Sequence, residues 1–191
     1  MQLKFEKTKE LLSPVLLDSG SKDGPDPSYW VFTSAPHEKW ENVLFIPPGC
    51  YGKEFNKTYG HYHADNEPDE TYKVISGKGV FVLQEKYFEK EVFDPTRVKS
   101  VLIVAVNPGE EITISNKWGH SWSNLGDTTL VTMDDWRIKL SPTRYDEITK
   151  QKGMAYYLVK DGDSFKPVPN PNYKELPKPR FLTLEEYRRL S

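Results

Sequence analysis

The stretch GHYHADNEPDETYKVISGKG, residues 60–79, holds two of the chain's four histidines one residue apart. Asp65, Glu67, Asp69 and Glu70 follow closely, with Glu85 further on. On an extended chain, residues i and i+2 point to the same face. His61 and His63 therefore aim two imidazoles at one volume, with Tyr62 on the other side, and Gly60 permits a close or unusual backbone approach. His120 lies far downstream, at a separation that a barrel of short strands can bring back opposite the pair.

One of the carboxylates must complete such a set. Glu67 precedes Pro68 in a turn-like DNEPD stretch, which predicts an outward side chain. Glu70 opens the run ETYKVI, where Glu70, Tyr72 and Val74 share a face, and SGKG then makes a tight strand turn. Three imidazoles and one carboxylate suit a first-row divalent metal (Fe, Zn, Mn or Ni) with positions left for substrate or water. A single histidine is more often an ordinary surface or core residue. Three of four falling in two short barrel-type stretches, with a glutamate starting the next strand, reverses that expectation. His37, in SAPHEKW, is read as ordinary.

The elements that must position these groups are short. NVLFIP (42–47), ETYKVISG (70–77), GVFVLQ (79–84), VKSVLIVAV (98–106), EEITIS (110–115) and TTLVTMDDW (128–136) are rich in β-branched and aromatic residues, and each is bounded by Gly, Pro or Asn. No long segment of helical period separates them, which predicts an antiparallel all-β sandwich or barrel rather than βαβ units. A short helix is expected from Glu6 to Leu12, closed by Pro14, and an exposed loop over SGSKDGPDPSY (19–29). Beyond Ser141 the spacing predicts a strand at AYYLVK (155–160), an extended Pro-rich stretch, and a terminal helix whose Thr183 and Glu186 form a capping box. The organisation read from this is an N-terminal extension over 1–41, a barrel core over 42–140 and a C-terminal extension over 141–191.

Composition narrows the partners. The chain has 191 residues, 26 basic and 28 acidic, for a formal net charge of -2, which gives no electrostatic reason to expect nucleic acid or an anionic membrane. The single cysteine, Cys50, cannot make an intrachain disulfide, and nothing reads as a membrane span or a signal peptide, so a cytoplasmic location is expected. Among the five tryptophans, Trp118 has the best claim to a sugar ring because His120 is its near neighbour; Arg144 could reach a substrate anion.

The stretch from Tyr51 to Gln84, with Thr58, Gly60, His61, His63, Ala64, Glu70 and Tyr72, resembles the cupin-type phosphoglucose isomerases of archaea and some bacteria. PGEEITISNKWGHSWSN, with Trp118 and His120, resembles the second cupin motif. The chain departs from that pattern at Leu44, where the family carries a threonine, at Ser115-Asn116, and at Trp136, where it carries a tyrosine. The resemblance implies a single cupin barrel with short peripheral helices that forms a homodimer and interconverts glucose 6-phosphate and fructose 6-phosphate. It implies one divalent ion per subunit (Fe, Mn, Ni or Zn) on His61, His63, Glu70 and His120, with Glu70 also the proton-transfer base. A hydride shift is the rival route. It implies substrate contacts from Thr58, Gly60, Tyr72, Trp118 and Lys57. Other readings are a cupin metalloenzyme acting on another sugar, a dioxygenase, or a non-catalytic cupin that binds a small ligand.

Overall fold

The β-branched and aromatic runs fold as strands that alternate inward and outward residues around one apolar interior. The computed structural model describes residues 1–34, 39–137 and 144–190; His37 and the first residues of the PTRYDEITKQK segment lie outside them. The order is β1 (Gln2–Lys7), α1 (Lys9–Leu12) with a 3-10 turn (Ser13–Val15), β2 (Tyr29–Thr33), β3 (Asn42–Ile46), β4 (Cys50–Tyr51) and β5 (Glu54–Phe55). Then come β6 (Glu70–Ser76), β7 (Gly79–Glu89), β8 (Val92–Val106), β9 (Glu111–Ile114), β10 (Trp118–Asn124) and β11 (Leu130–Asp134). The chain ends with α2 (Asp146–Lys150), β12 (Tyr156–Asp161), β13 (Ser164–Pro169), β14 (Arg180–Leu182) and α3 (Leu184–Arg188).

A six-stranded sheet in the order β1-β2-β3-β11-β6-β9 faces a four-stranded sheet in the order β10-β7-β8-β14. A third sheet, β13-β12-β5-β4, joins the C-terminal hairpin to the barrel. Inward residues of the first sheet (Leu44, Ile46, Tyr72, Val74, Leu130) meet those of the second (Phe81, Leu83, Trp122) in one continuous core. The contact is direct: Phe81 packs on Trp122 with ring centroids 3.6 Å apart, and edge-on against Tyr72 at 5.1 Å. Every residue of β10 is buried. Gly119 has no side chain because the Tyr62 ring occupies the space; a Cβ there would lie 2.5 Å from it.

The strands expected at 42–47, 70–77, 110–115 and 128–136 form nearly as read, and those at 79–84 and 98–106 belong to the longer hairpin β7–β8. The N-terminus differs. Residues 2–7 are an edge strand of the large sheet, so the helix begins only at Lys9, with the Thr8 hydroxyl accepting from Leu11 N–H as its cap. Pro14 sits inside the following 3-10 turn. At the other end the capping box forms as expected: the Thr183 hydroxyl accepts from Glu186 N–H, and the Glu186 carboxylate accepts from Thr183 N–H. Helix α3 covers the outer edge of the large sheet, where the Tyr187 hydroxyl donates to Thr113 O. No helix among the described residues is long and apolar enough to cross a membrane.

Candidate metal centre

Three imidazoles and a carboxylate converge at the inner wall of the barrel. His120 comes from the middle of β10, Glu70 opens β6, and His61 and His63 lie on an extended segment alongside β10. His61 and His120 pair through two backbone bonds, His61 N–H to His120 O at 3.2 Å and His120 N–H to His61 O at 3.0 Å. Glu70 Oε2 lies 2.9 Å from His63 Nε2, 3.1 Å from His120 Nε2 and 4.0 Å from His61 Nε2, and the two Nε2 atoms of His61 and His63 are 3.3 Å apart. All four donor atoms fall within 4.8 Å of one another.

Burial keeps this set in the states a cation needs. Desolvation pushes His61 well below the ordinary imidazole pKa, and the neighbouring His120 and His63 rings push the same way. Burial likewise lowers His63, against the opposing pull of Glu70. For Glu70, burial alone raises the carboxyl, but hydrogen bonds from His120 and His63 more than offset it and hold the group well below the usual carboxylate range. The result is that His61 and His63 are neutral nitrogen donors beside an ionised oxygen. Metal–ligand bonds of about 2.1 Å place adjacent donors roughly 3 Å apart; the separations of 2.9, 3.1 and 3.3 Å match, while His61 and Glu70 stand further apart at 4.0 Å. The donor set fits a first-row divalent ion.

The rings are held by packing and backbone. The Nδ1 atoms of His63 and His120 are buried without a hydrogen-bond partner. His63 instead lies against Trp136, ring centroids 3.8 Å apart, and its carbonyl accepts from the buried Lys86 ammonium at 2.7 Å, which also pairs with Asp65 at 2.5 Å. Glu67 is buried rather than outward. Its turn is tied down by Asn116, which donates to the Asp65 and Glu67 carbonyls, and its carboxylate is not one of the converging donors.

The centre opens into a cleft. Thr58, Gly60 and Tyr72 line it with His61, Glu70 and His120. Thr58 Oγ1 accepts from Trp122 N–H at 3.0 Å, and Tyr72 Oη lies 3.2 Å from His120 Nε2. Gly60 is in the left-handed region at φ +82°, where a Cβ would meet Met154 Sδ at 2.8 Å. Two of the residues expected at the substrate are elsewhere. Lys57 is buried with its ammonium on Glu54 at 2.6 Å and Val15 O at 2.6 Å, and Trp118 is buried outside the cleft lining. Arg144 is likewise committed to Glu147 and is not in the lining. Trp122 and Trp136 take the lining positions that tryptophan fills.

The same wall holds polar groups that sequence reading missed. Asp134, at the end of β11, is buried among the lining residues, where it accepts from Asn42 Nδ2 at 2.5 Å and Trp136 N–H at 3.1 Å. Burial, reinforced by the charge of Glu70, pushes its carboxyl well above the ordinary range. A partial signal was present: in TTLVTMDDW, Asp134 keeps the parity of the inward residues Leu130 and Thr132.

An antiparallel barrel holding three histidines and a glutamate in these positions defines the molecule as a single cupin barrel with a candidate metal centre. The family model for glucose-6-phosphate isomerase matches residues 35–175. A glucose-6-phosphate isomerase of Thermococcus onnurineus is 32% identical over 150 residues, 76% of this chain and 72% of the relative. That of Pyrococcus furiosus is 27% identical over 152 residues, 77% and 73% of the two chains. Among solved structures, the Drosophila melanogaster CENP-C cupin domain aligns with a TM-score of 0.40 at 12% identity, covering 61% of this chain and 74% of that one. The chain belongs to the glucose-6-phosphate isomerase family.

Proposed function

We propose that this protein interconverts glucose 6-phosphate and fructose 6-phosphate at the His61, His63, Glu70 and His120 centre. The observation that carries the reading is the convergence of three Nε2 atoms and one carboxylate oxygen beside a cleft that His61, Glu70 and His120 line, in a chain of this family. A divalent ion held by those four residues supplies, when bound, electrophilic polarisation of the sugar's C1 and C2 oxygens.

The chain's own residues do the rest. Glu70 is buried and ionised, so it takes the proton from C2 of the open-chain aldose and returns it to C1 through an enediolate; the hydroxyl proton on O2 passes to O1. Burial, then the charges of Glu70 and Asp134, keep the Tyr72 phenol protonated far above neutral pH, which leaves it a donor to a sugar oxygen. Thr58 and Gly60 shape the wall beside His61, and Trp122 and Trp136 exclude water from the reacting end. The same reading takes the protein as a cytoplasmic homodimer with no nucleic-acid or membrane partner.

The test is direct. Protein stripped by chelator should have no isomerase activity, and reloading with Fe²⁺, Mn²⁺, Ni²⁺ or Zn²⁺ should restore conversion of fructose 6-phosphate to glucose 6-phosphate. Absence of conversion with every one of these ions would remove the reading.

A further inference from the structure

The segment matched by the family model begins at residue 35, yet the cleft wall includes Lys4, Phe5, Tyr29 and Val31 from β1 and β2. Regular alternation would put Lys4 and Phe5 on opposite faces of β1. The register slips there: Leu3 pairs with Phe32 and Phe5 with Val31, which leaves Lys4 as the extra residue of a β-bulge. Bulges re-aim side chains, and both Lys4 and Phe5 line the cleft. The Lys4 side chain extends past β2 to reach β3, where its ammonium donates to the amide oxygen of Asn42.

The charge balance of the cleft gives this placement its meaning. The lining holds two carboxyl groups, Glu70 and Asp134, and Lys4 is its one lysine or arginine among the described residues. Its bonded partner is a neutral amide, and among the described residues no carboxylate forms an ion pair with the ammonium. Three residues on, Lys7 places a second ammonium 5.0 Å from the ring centre of Tyr59 and 5.8 Å from that of Tyr145, two aromatic walls of the same cleft. A phosphate entering without these groups meets carboxyl oxygens and aromatic faces and no full positive charge outside the metal centre.

We propose that Lys4, on the bulged N-terminal strand, is the positioning cation that holds the anionic end of the substrate in the cleft. The proposal rests on the sugar-phosphate reading above for the identity of the anion. It makes β1 part of the binding site, with specificity for phosphorylated over neutral sugars carried by a segment outside the family-matched region.

The experiment uses the full-length, metal-loaded protein and four variants: Lys4→Gln, which keeps a donor for Asn42 but no charge, Lys4→Met, Lys4→Arg, and Lys9→Met as a charge-matched control. KM and kcat for fructose 6-phosphate are measured beside calorimetric titrations of fructose 6-phosphate, fructose and inorganic phosphate. Loss of a charge-assisted hydrogen bond predicts a rise in KM and in both phosphate dissociation constants of about 10- to 100-fold in Lys4→Gln and Lys4→Met, with kcat changed less than about 3-fold. Lys4→Arg recovers most of the affinity, Lys9→Met matches the parent, and fructose binding does not move. Folded Lys4→Gln with unchanged KM and phosphate affinity would overturn the proposal and leave Lys4 as a structural partner of Asn42. A parent that binds phosphate through Lys4 without isomerising removes the isomerase reading and keeps the anion site. A parent that binds no phosphate removes the anion site, whether or not it turns over.

Discussion

Replacing Glu70 by glutamine tests the centre most sharply, because the change keeps shape and removes one charge. Glu70 Oε2 is the oxygen within 3.1 Å of both His63 and His120, in a side chain only 3% exposed. Loss of a group that merely orients a ligand costs about 10- to 100-fold in metal affinity; loss of the only anionic donor should therefore weaken metal binding by at least about 100-fold, or ~2.7 kcal/mol at 1.36 kcal/mol per decade. Turnover falls further. Removing a positioned general base costs about 10²- to 10⁴-fold even when the metal is made saturating. The assay has two parts, competition for the ion against a chromophoric chelator, and steady-state isomerisation at rising metal concentration. Glu67→Gln is the comparison. Glu67 is also buried and three residues away, but its carboxylate is not one of the converging donors, so both readings should stay within about 3-fold of the parent on the scale of a change outside the ligand shell. If Glu70→Gln holds its ion as the parent does and keeps more than about a tenth of the activity, the assignment of both base and ligand fails.

Three further outcomes follow from the same geometry. For the metal-stripped protein, stability should fall as pH drops from 7 to 4. His61 and His63 have depressed folded pKa values, so below about 6.5 the unfolded chain takes up protons that the folded one refuses, and Glu70 adds the same sign below about 4.3. Urea midpoints that stay flat or rise across this window contradict it. Asp134 has the opposite sign: its raised folded pKa means stability is lost as pH rises through that value, so Asp134→Asn, which can still accept from Asn42 and Trp136 N–H, should raise the thermal midpoint at pH 7; a lower midpoint refutes this. Gly119→Ala drives a methyl into the Tyr62 ring between His61 and His63, so about 1–3 kcal/mol of stability should go, at roughly 2–4 °C per kcal/mol. Unchanged melting would show that the ring has room to move.

What was legible in the sequence was whatever depends on local period. Glu70, Tyr72 and Val74 share a face because β6 is regular, and the capping box at Thr183 closes because its two partners are three residues apart. What was illegible depends on packing between distant segments. β2, YWVFT, is apolar on both faces because Trp30 and Phe32 lie on the outer side, where Phe32 meets Phe45, so no alternation marks it. β10, WGHSWSN, interrupts its two tryptophans with Gly, His, Ser and Asn, which are poor signals for a strand; Gly119 and Ser121 are small because Tyr62 and the Gly60 turn pack against them. Lys57 was a plausible anion ligand by its place in NKTYG, but Glu54, one turn of chain earlier, takes its charge into the core. Lys4 was hidden by a bulge that changes its face.

The His-x-His pair shows how the right parity can come from an element that is not a strand. Residues 56–62 run antiparallel along the free edge of β10, with Asn124 N–H donating to Asn56 O, and Thr58 N–H to Trp122 O. The bridge of Lys57 to Ser123 and that of His61 to His120 differ in register by one residue, so one extra residue is accommodated between them, where Gly60 adopts its left-handed turn. Without that insertion the residue opposite His120 would be Gly60, and the histidines would exchange faces with Tyr62. Thr58 repairs the broken ladder, its hydroxyl accepting the Trp122 N–H that a regular strand would have bonded through its backbone. Tyr62, sent to the other side, is bonded by Gln84 and packed on Phe93, which locks the rotation of the segment. The geometry of the candidate metal centre is therefore a property of an interrupted edge strand. The interruption leaves His61 partly open to the cleft while His63 and His120 stay buried, and this is the asymmetry a centre needs if three imidazoles are to grip an ion and still leave one side for a substrate.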